Sequence, residues 1–401
     1  MREHAQILML IFCFIAIVMG CKKPYNPPVI ANNANYLVVE GVINSGSDST
    51  IITLNRTIPL SSTAGPKPEL NAQVTVESEQ GVSLPIAELG KGRYGSGPLN
   101  LNNGGKYRLR IRTNAGREYL SDFVENKNTP NIDSITYKVQ NNGVQFYANA
   151  HDPQNATRYY RWDFEETWKY VSFYQSTYKY EGGQPVYRLP NLNSSDNIYE
   201  CYKTASSHQV LTTSTTKLAQ DVVYQQPIDF VEAGSGKISF GYSILLKQYG
   251  LTADAYTYWQ LLKKNTEQLG SIFDAQPSSS PSNIHSVSNL DEPVIGYVSV
   301  CNVRSKRIFV DHSTIDLFTP YYLQPPDAEA CPKQSVMIDP ADSFPFRLAQ
   351  ALNDGEYILT NALTETGNPI ILGYGYAPRE CVDCMAKAPF GTNVKPSYWP
   401  F

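Results

Sequence analysis

The chain has 401 residues, a net charge of -4, 28 Tyr and 12% aromatic residues. It carries no long Lys/Arg run, which argues against nucleic acid as a partner. The length suits two domains, and abundant Tyr with 27 Pro and 26 Gly favours a mainly β chain with many turns.

Arg2 precedes a 13-residue apolar run, Ile7 to Met19, and Gly20-Cys21 follows. A charged start, a short greasy core and a small residue at the cut describe a secretory signal peptide over residues 1–20. At about 1.5 Å per residue the run spans roughly 20 Å, short of the ~30 Å hydrocarbon layer, so it is not read as a spanning helix. Val18-Met19-Gly20-Cys21 resembles a bacterial lipobox. That resemblance implies acylation of Cys21, which becomes the mature N-terminus, and two or more acyl chains hold a membrane stably. Residues 21–35, rich in Pro and Asn, read as an extended tether.

Residues 36–124 are expected to form a first antiparallel sandwich of immunoglobulin-like size. Tyr36 to Ile43, Ser49 to Arg56, Ala72 to Glu77 and Glu118 to Phe123 read as strands. Lys106-Tyr-Arg-Leu-Arg-Ile-Arg112 alternates strictly, with Tyr107, Leu109 and Ile111 on one face. After the linker Glu125 to Asn131, residues 132–401 are expected to form a larger β domain. Asn141-Asn-Gly143 between two strand-like runs is a hairpin signal. Tyr159 to Tyr187 holds 11 aromatics in 29 residues, and Tyr160, Trp162 and Phe164 alternate with Arg161, Asp163 and Glu165. The apolar spacing of Ala255, Tyr258, Leu262 and Leu269 predicts one amphipathic helix over 253–269, with Thr252 as N-cap and Gly270 beyond its end. Gln276 to Asn289 reads as a long loop. Val294 to Val300 and Arg307 to Val310 return to strand.

Five cysteines follow Cys21, so one stays unpaired at best. Cys201, Cys331, Cys381 and Cys384 are the disulfide candidates, and Cys301, inside an apolar run, is expected to be free and buried. Connectivity is open. Cys381-Val-Asp-Cys384 has metal-ligand spacing but no second pair, and the flanking Pro378 and Pro389 argue against the helix that redox chemistry expects. His151, His208, His285 and His312 match no hydrolase or metalloprotease motif. On a strand, Asp311 and His312 would point to opposite faces. Asp196, Asp339 and Asp342 match no calcium-loop pattern. No metal and no cofactor are therefore expected. The aromatic stretch admits two readings, a sandwich core or a ligand and interface platform built on Tyr160, Trp162, Trp168, Tyr170, Tyr174 and Tyr178.

The chain also resembles a lipoprotein family of the Bacteroidota known as domain-of-unknown-function family 4249. The resemblance rests on Leu37-Val-Val-Glu-Gly41, Gly241 to Tyr249, Ala255 to Lys264, Gly270 to Pro277, Val294-Ile-Gly-Tyr297, Ser305 to Phe309, Cys381 to Cys384 and Gly391 to Trp399. It implies an outer-membrane lipoprotein beside a TonB-dependent transporter of the SusC/RagA type, accessory to nutrient or peptide uptake and without an established activity. Lys22-Lys23 stand where surface-export signals of these bacteria place acidic residues, so the leaflet stays open. The rival expectation is an envelope hydrolase of glycans or peptides, with Glu165 and Glu166 as its carboxylates.

Overall fold

The computed structural model describes residues 35–58, 62, 65–140, 142–188, 196–267, 282–311, 313, 315, 331–338, 344–367 and 369–400. The signal peptide, Cys21 and nearly all of the tether lie outside them, as do Gly270, His312, Asp339 and Asp342. The chain is mainly β, as its composition implies.

The first body begins with β1 (Leu37–Asn44), β2 (Thr50–Arg56), β3 (Lys67–Pro68), β4 (Gln73–Ser78) and β5 (Ser83–Gly90). It continues with β6 (Arg93–Ser96), β7 (Lys106–Arg112), β8 (Glu118–Ser121) and β9 (Val124–Glu125). The first half of β5 pairs with β4 and its second half with β6, so one continuous sheet turns over at its middle. The alternating apolar residues of both halves then meet. Val39, Ile52 and Leu54 share one core with Val74, Val76, Leu109 and Ile111.

The second body opens with the hairpin β10 (Ile132–Gln140) and β11 (Gly143–Asp152), at the expected turn. Next come β12 (Tyr159–Val171), β13 (Tyr178–Glu181), β14 (Gln184–Tyr187), β15 (Glu200–Ser206), β16 (Leu211–Ser214), β17 (Asp221–Glu232) and β18 (Tyr242–Gly250). The helix α1 (Ala253–Glu267) follows, and the hydroxyl of Thr252 accepts from the Ala255 amide at 3.2 Å, as an N-cap should. The helix is described as far as Glu267, and residues 268–270, the expected end and Gly270 included, lie outside the described residues.

The chain then returns to the first body. β19 (Ile284–Ser286) pairs with β8, while β20 (Ile295–Gly296) and β21 (Ser299–Cys301) pair in parallel with β1. Ile284, Val294, Val298 and Val300 enter the first core. The expected division at 124/132 had placed these residues in the larger domain. Their strand pattern was legible, but a parallel partner far away in sequence is set by tertiary packing, not by local spacing.

β22 (Arg304–Val310) closes the second body's sheet, in the order β15-β12-β18-β22. That sheet packs on β10-β11-β17, with Val144, Phe146 and Ala148 against Trp162, Phe164, Ile244 and Leu246. The last strands, β23 (Gln334–Met337), β24 (Tyr357–Thr364) and β25 (Ile371–Pro378), form a separate small sheet beside the helix α2 (Phe346–Asn353). A single turn, α3 (Arg379–Val382), starts straight after Pro378. The prolines had argued against a helix here. A proline at a helix start removes no hydrogen bond, so it permits this turn.

Candidate functional site

β12 carries most of the residues that sequence reasoning singled out. It lies in the interior of its sheet, paired with β15 and β16 on one edge and β18 on the other. Its even-numbered residues face the β10-β11-β17 layer. Tyr160 and Trp162 are fully buried and stack at 5.7 Å. Their polar tips are satisfied internally: Tyr160 donates to Asp221 Oδ2 at 3.0 Å and Trp162 Nε1 to Gln248 Oε1 at 2.9 Å. Burial with a hydrogen-bonded tip is core packing.

The platform expectation is therefore corrected. The six aromatics do not form one surface. Tyr174 and Tyr178 belong instead to the C-terminal unit. Tyr174 donates to the Cys331 carbonyl at 2.9 Å, and the Tyr178 ring meets Tyr374 at 5.2 Å. Trp168 and Tyr170 are buried too, yet their outer edges line a cleft described below.

Glu165 and Glu166 are neighbours on this strand and point to opposite faces, so they are not a catalytic pair. Glu165 accepts from Arg307 at 3.2 Å on the outer face. Glu166 is buried on the inner face, where Lys237 Nζ donates to it at 2.5 Å. Tyr242 OH lies 3.1 Å from Glu166 Oε2 and 3.2 Å from Asp229 Oδ2. One phenolic hydrogen cannot serve both carboxyls. Burial, then the charge of Glu166, pushes Asp229 above the usual carboxylate range.

Beside this cluster opens a cleft of about 650 Å³. Trp168, Tyr170 and Phe173 from β12 and its exit form one wall. The loop Gly234–Phe240 between β17 and β18 forms another, and Lys387 to Pro389 form the third. Lys237 Nζ sits 4.9 Å above the Trp168 ring. Lys387 is half-buried, and burial lowers its ammonium from the ordinary range. The third wall is held in place. Tyr170 donates to the Cys384 carbonyl at 3.0 Å and accepts from the Gly391 amide at 2.6 Å. Cys384 is itself bonded to Cys201. The cleft is thus lined by the edges of buried aromatics and by Lys387, with Lys237 held between Glu166 and the Trp168 ring. Sequence reasoning missed Lys237 and Lys387, because neither sits in a motif and only the fold brings them to the aromatics.

A family model described as "Domain of unknown function (DUF4249)" matches residues 22–307. The chain belongs to that family. No curated protein matches it. Among solved structures, the FN1-FN3 domains of chicken CNTN1 share 9% identity, with 54% of this chain and 62% of that chain covered at a TM-score of 0.18. A segment of two fibronectin type III domains from chicken tenascin shares 13% identity, with 53% and 90% covered at a TM-score of 0.16.

The cysteines of this family member pair as Cys201–Cys384 and Cys331–Cys381. Cys381 and Cys384 are thus each bonded to a distant partner and not to each other. Cys301 is free and fully buried, and burial pushes its thiol up to about 11. His151 and His285 are exposed and pair with Asp133 at 2.8 Å and Asp122 at 3.2 Å. Asp152 caps its turn by accepting from the amides of Gln154, Ala156 and Thr157. Asp196 lies 3.7 Å from Lys179. Among the described residues no cluster of His, Cys, Asp and Glu could hold a metal ion.

Proposed function

We propose that this chain is a lipoprotein of the Bacteroidota outer membrane, anchored through acylated Cys21. It acts as a non-catalytic binding or accessory subunit of a TonB-dependent uptake system of the SusC/RagA type. The lipobox Val18 to Cys21 and the Pro/Asn-rich tether support the anchor. The observation that carries the binding role is the cleft at Trp168 and Tyr170. Aromatic edges and Lys387 line it, and Glu166 beside it is occupied by Lys237 and Tyr242. The hydrolase reading draws no support from Glu165 and Glu166, which face apart. Two measurements test the proposal. Metabolic labelling with a clickable fatty acid should mark the wild type and not the Cys21→Ala variant. Gentle detergent extraction and pull-down should recover a TonB-dependent barrel, and recovery of the monomer alone would remove the transporter role.

A further inference from the structure

A second cleft, of about 750 Å³, lies on the opposite face of β12, between the first body and α1. At its wall stands Arg161, only 7% exposed. Its guanidinium carbon is 4.2 Å from the ring centroids of both Tyr249 and Trp259. Rings against the cation take up its π surface and leave its planar N–H edge for recognition. That edge is underused. Nη2 donates to Asp163 Oδ2 at 2.8 Å, but Nε is buried with no partner, and among the described residues nothing accepts from Nη1. Nε is out of reach from the cleft, so Nη1 is the idle donor of this buried, wall-lining cation, and an anionic acceptor suits it best.

Two features narrow that anion. The remaining wall is apolar and aromatic, from Val38, Tyr258, Leu262, Ile295 and Tyr297. The charged lining is Arg161 and Lys247 against Glu40, Asp48 and Asp163. Acids exceed bases by one and Asp163 already pairs with Arg161, so the lining opposes a dianion about twice as strongly as a monoanion, and a single charge held by Nη1 is the better fit. A planar guanidinium edge suits a planar acceptor.

We propose that this cleft binds a monoanionic carboxylate on an apolar or aromatic body, with Arg161 as the anchor. The carboxylate could belong to a small organic acid or to the C-terminus of a short apolar peptide. The site is independent of any membrane partner, so failure of the transporter reading would leave it standing.

The test uses the full lipidated protein in micelles, titrated calorimetrically against matched micelles. The probes are 3-phenylpropionate, its amide, and a short apolar peptide with a free or amidated C-terminus. At least one carboxylate probe should bind, with its amide at least about tenfold weaker, and inorganic phosphate should not compete. Which of the two probes binds identifies the source. Arg161→Gln should cost at least about tenfold, and Leu262→Trp, which fills the cleft without touching the cation, should do the same. Should Arg161→Gln fail to fold, Leu262→Trp and the acid-against-amide ratio carry the test. The proposal is overturned if no carboxylate binds, if acid and amide bind alike, if phosphate competes equally, or if either folded variant keeps wild-type affinity.

Discussion

The first body and the C-terminal unit are held together by different means. The first body gathers 18 fully or nearly buried apolar side chains into one core and contains no disulfide. Among the described residues, the small sheet β23-β25-β24 and its helices rest on clusters of four and three such residues. Both disulfides end there, on Cys381 and Cys384. A unit that removes little apolar surface from water gains little from the hydrophobic effect, so covalent closure supplies what packing does not. The first body instead draws strands from residues 284–301 to enlarge its core. Distant chain segments thus stabilise both regions, by burial in one and by sulfur in the other.

The largest expected effect tests that contrast directly. Cys201–Cys384 spans 183 residues, and in the chain-entropy account its loss costs about 5 kcal/mol. Cys331–Cys381 spans 50, for about 4 kcal/mol. Replacing both pairs with serine should collapse amide protection in β24 and β25 while β4 and β7 keep theirs, read by hydrogen exchange. Uniform loss across both regions would show that they unfold as one and would break the comparison.

The next effect concerns the returning segment. Gly296 has φ +132°, and a Cβ there would sit 2.1 Å from the Val39 carbonyl oxygen. Gly296→Ala therefore collides with β1 and should cost about 3 kcal/mol, with exchange rising across 284–301. An unchanged denaturation midpoint would mean that the parallel pairing contributes little to the first body.

These two regions also differ in how far their sequence could be read. β7 matches its alternation, with Tyr107, Leu109 and Ile111 buried as the pattern requires. The hairpin at Asn141-Asn-Gly143 and the Thr252 cap are local chemistry and were legible for that reason. The destination of Val294 to Val300 was not, because an apolar run encodes a strand and not its partner. Cys-x-x-Cys spacing keeps two sulfurs close along the chain, yet here they point to separate partners. The aromatics of β12 were ambiguous because core and surface both use Tyr and Trp, and only the interior sheet position decides between them. Arg161 read as the polar half of an alternating strand, and nothing local signals that α1 and the first body close over that face.

A smaller effect isolates one hydrogen-bonded tip in the disulfide-free core. Tyr94 is fully buried, and its hydroxyl donates to the Glu69 carbonyl at 2.9 Å while accepting from the Ala72 amide at 3.0 Å. Tyr94→Phe keeps the ring and orphans both backbone groups, for about 1–2 kcal/mol by chemical denaturation. A neutral result would shift the weight of that core wholly onto its apolar side chains.

The smallest effect separates how the two sandwich bodies treat buried charge. In the first, Arg56 Nε donates to Glu69 at 2.6 Å and Nη1 lies 3.7 Å from Glu292, so opposite charges meet. In the second, Asp229 faces Glu166 across Tyr242, with Lys237 as the nearby cation. Burial first, then Glu166, raises Asp229 above its unfolded value near 3.9. A raised carboxyl favours the native state fully below the unfolded value, and that contribution is lost as pH rises through the folded one. Above the unfolded value, and so at neutral pH, Asp229 is then a net cost to the native state. Asp229→Asn removes the charge and keeps an acceptor for Tyr242. The variant should melt higher than wild type at pH 7, and the gain should vanish near pH 3. Equal melting curves at both values would mean that Lys237 already neutralises the pair, and both bodies would then follow one rule for buried charge.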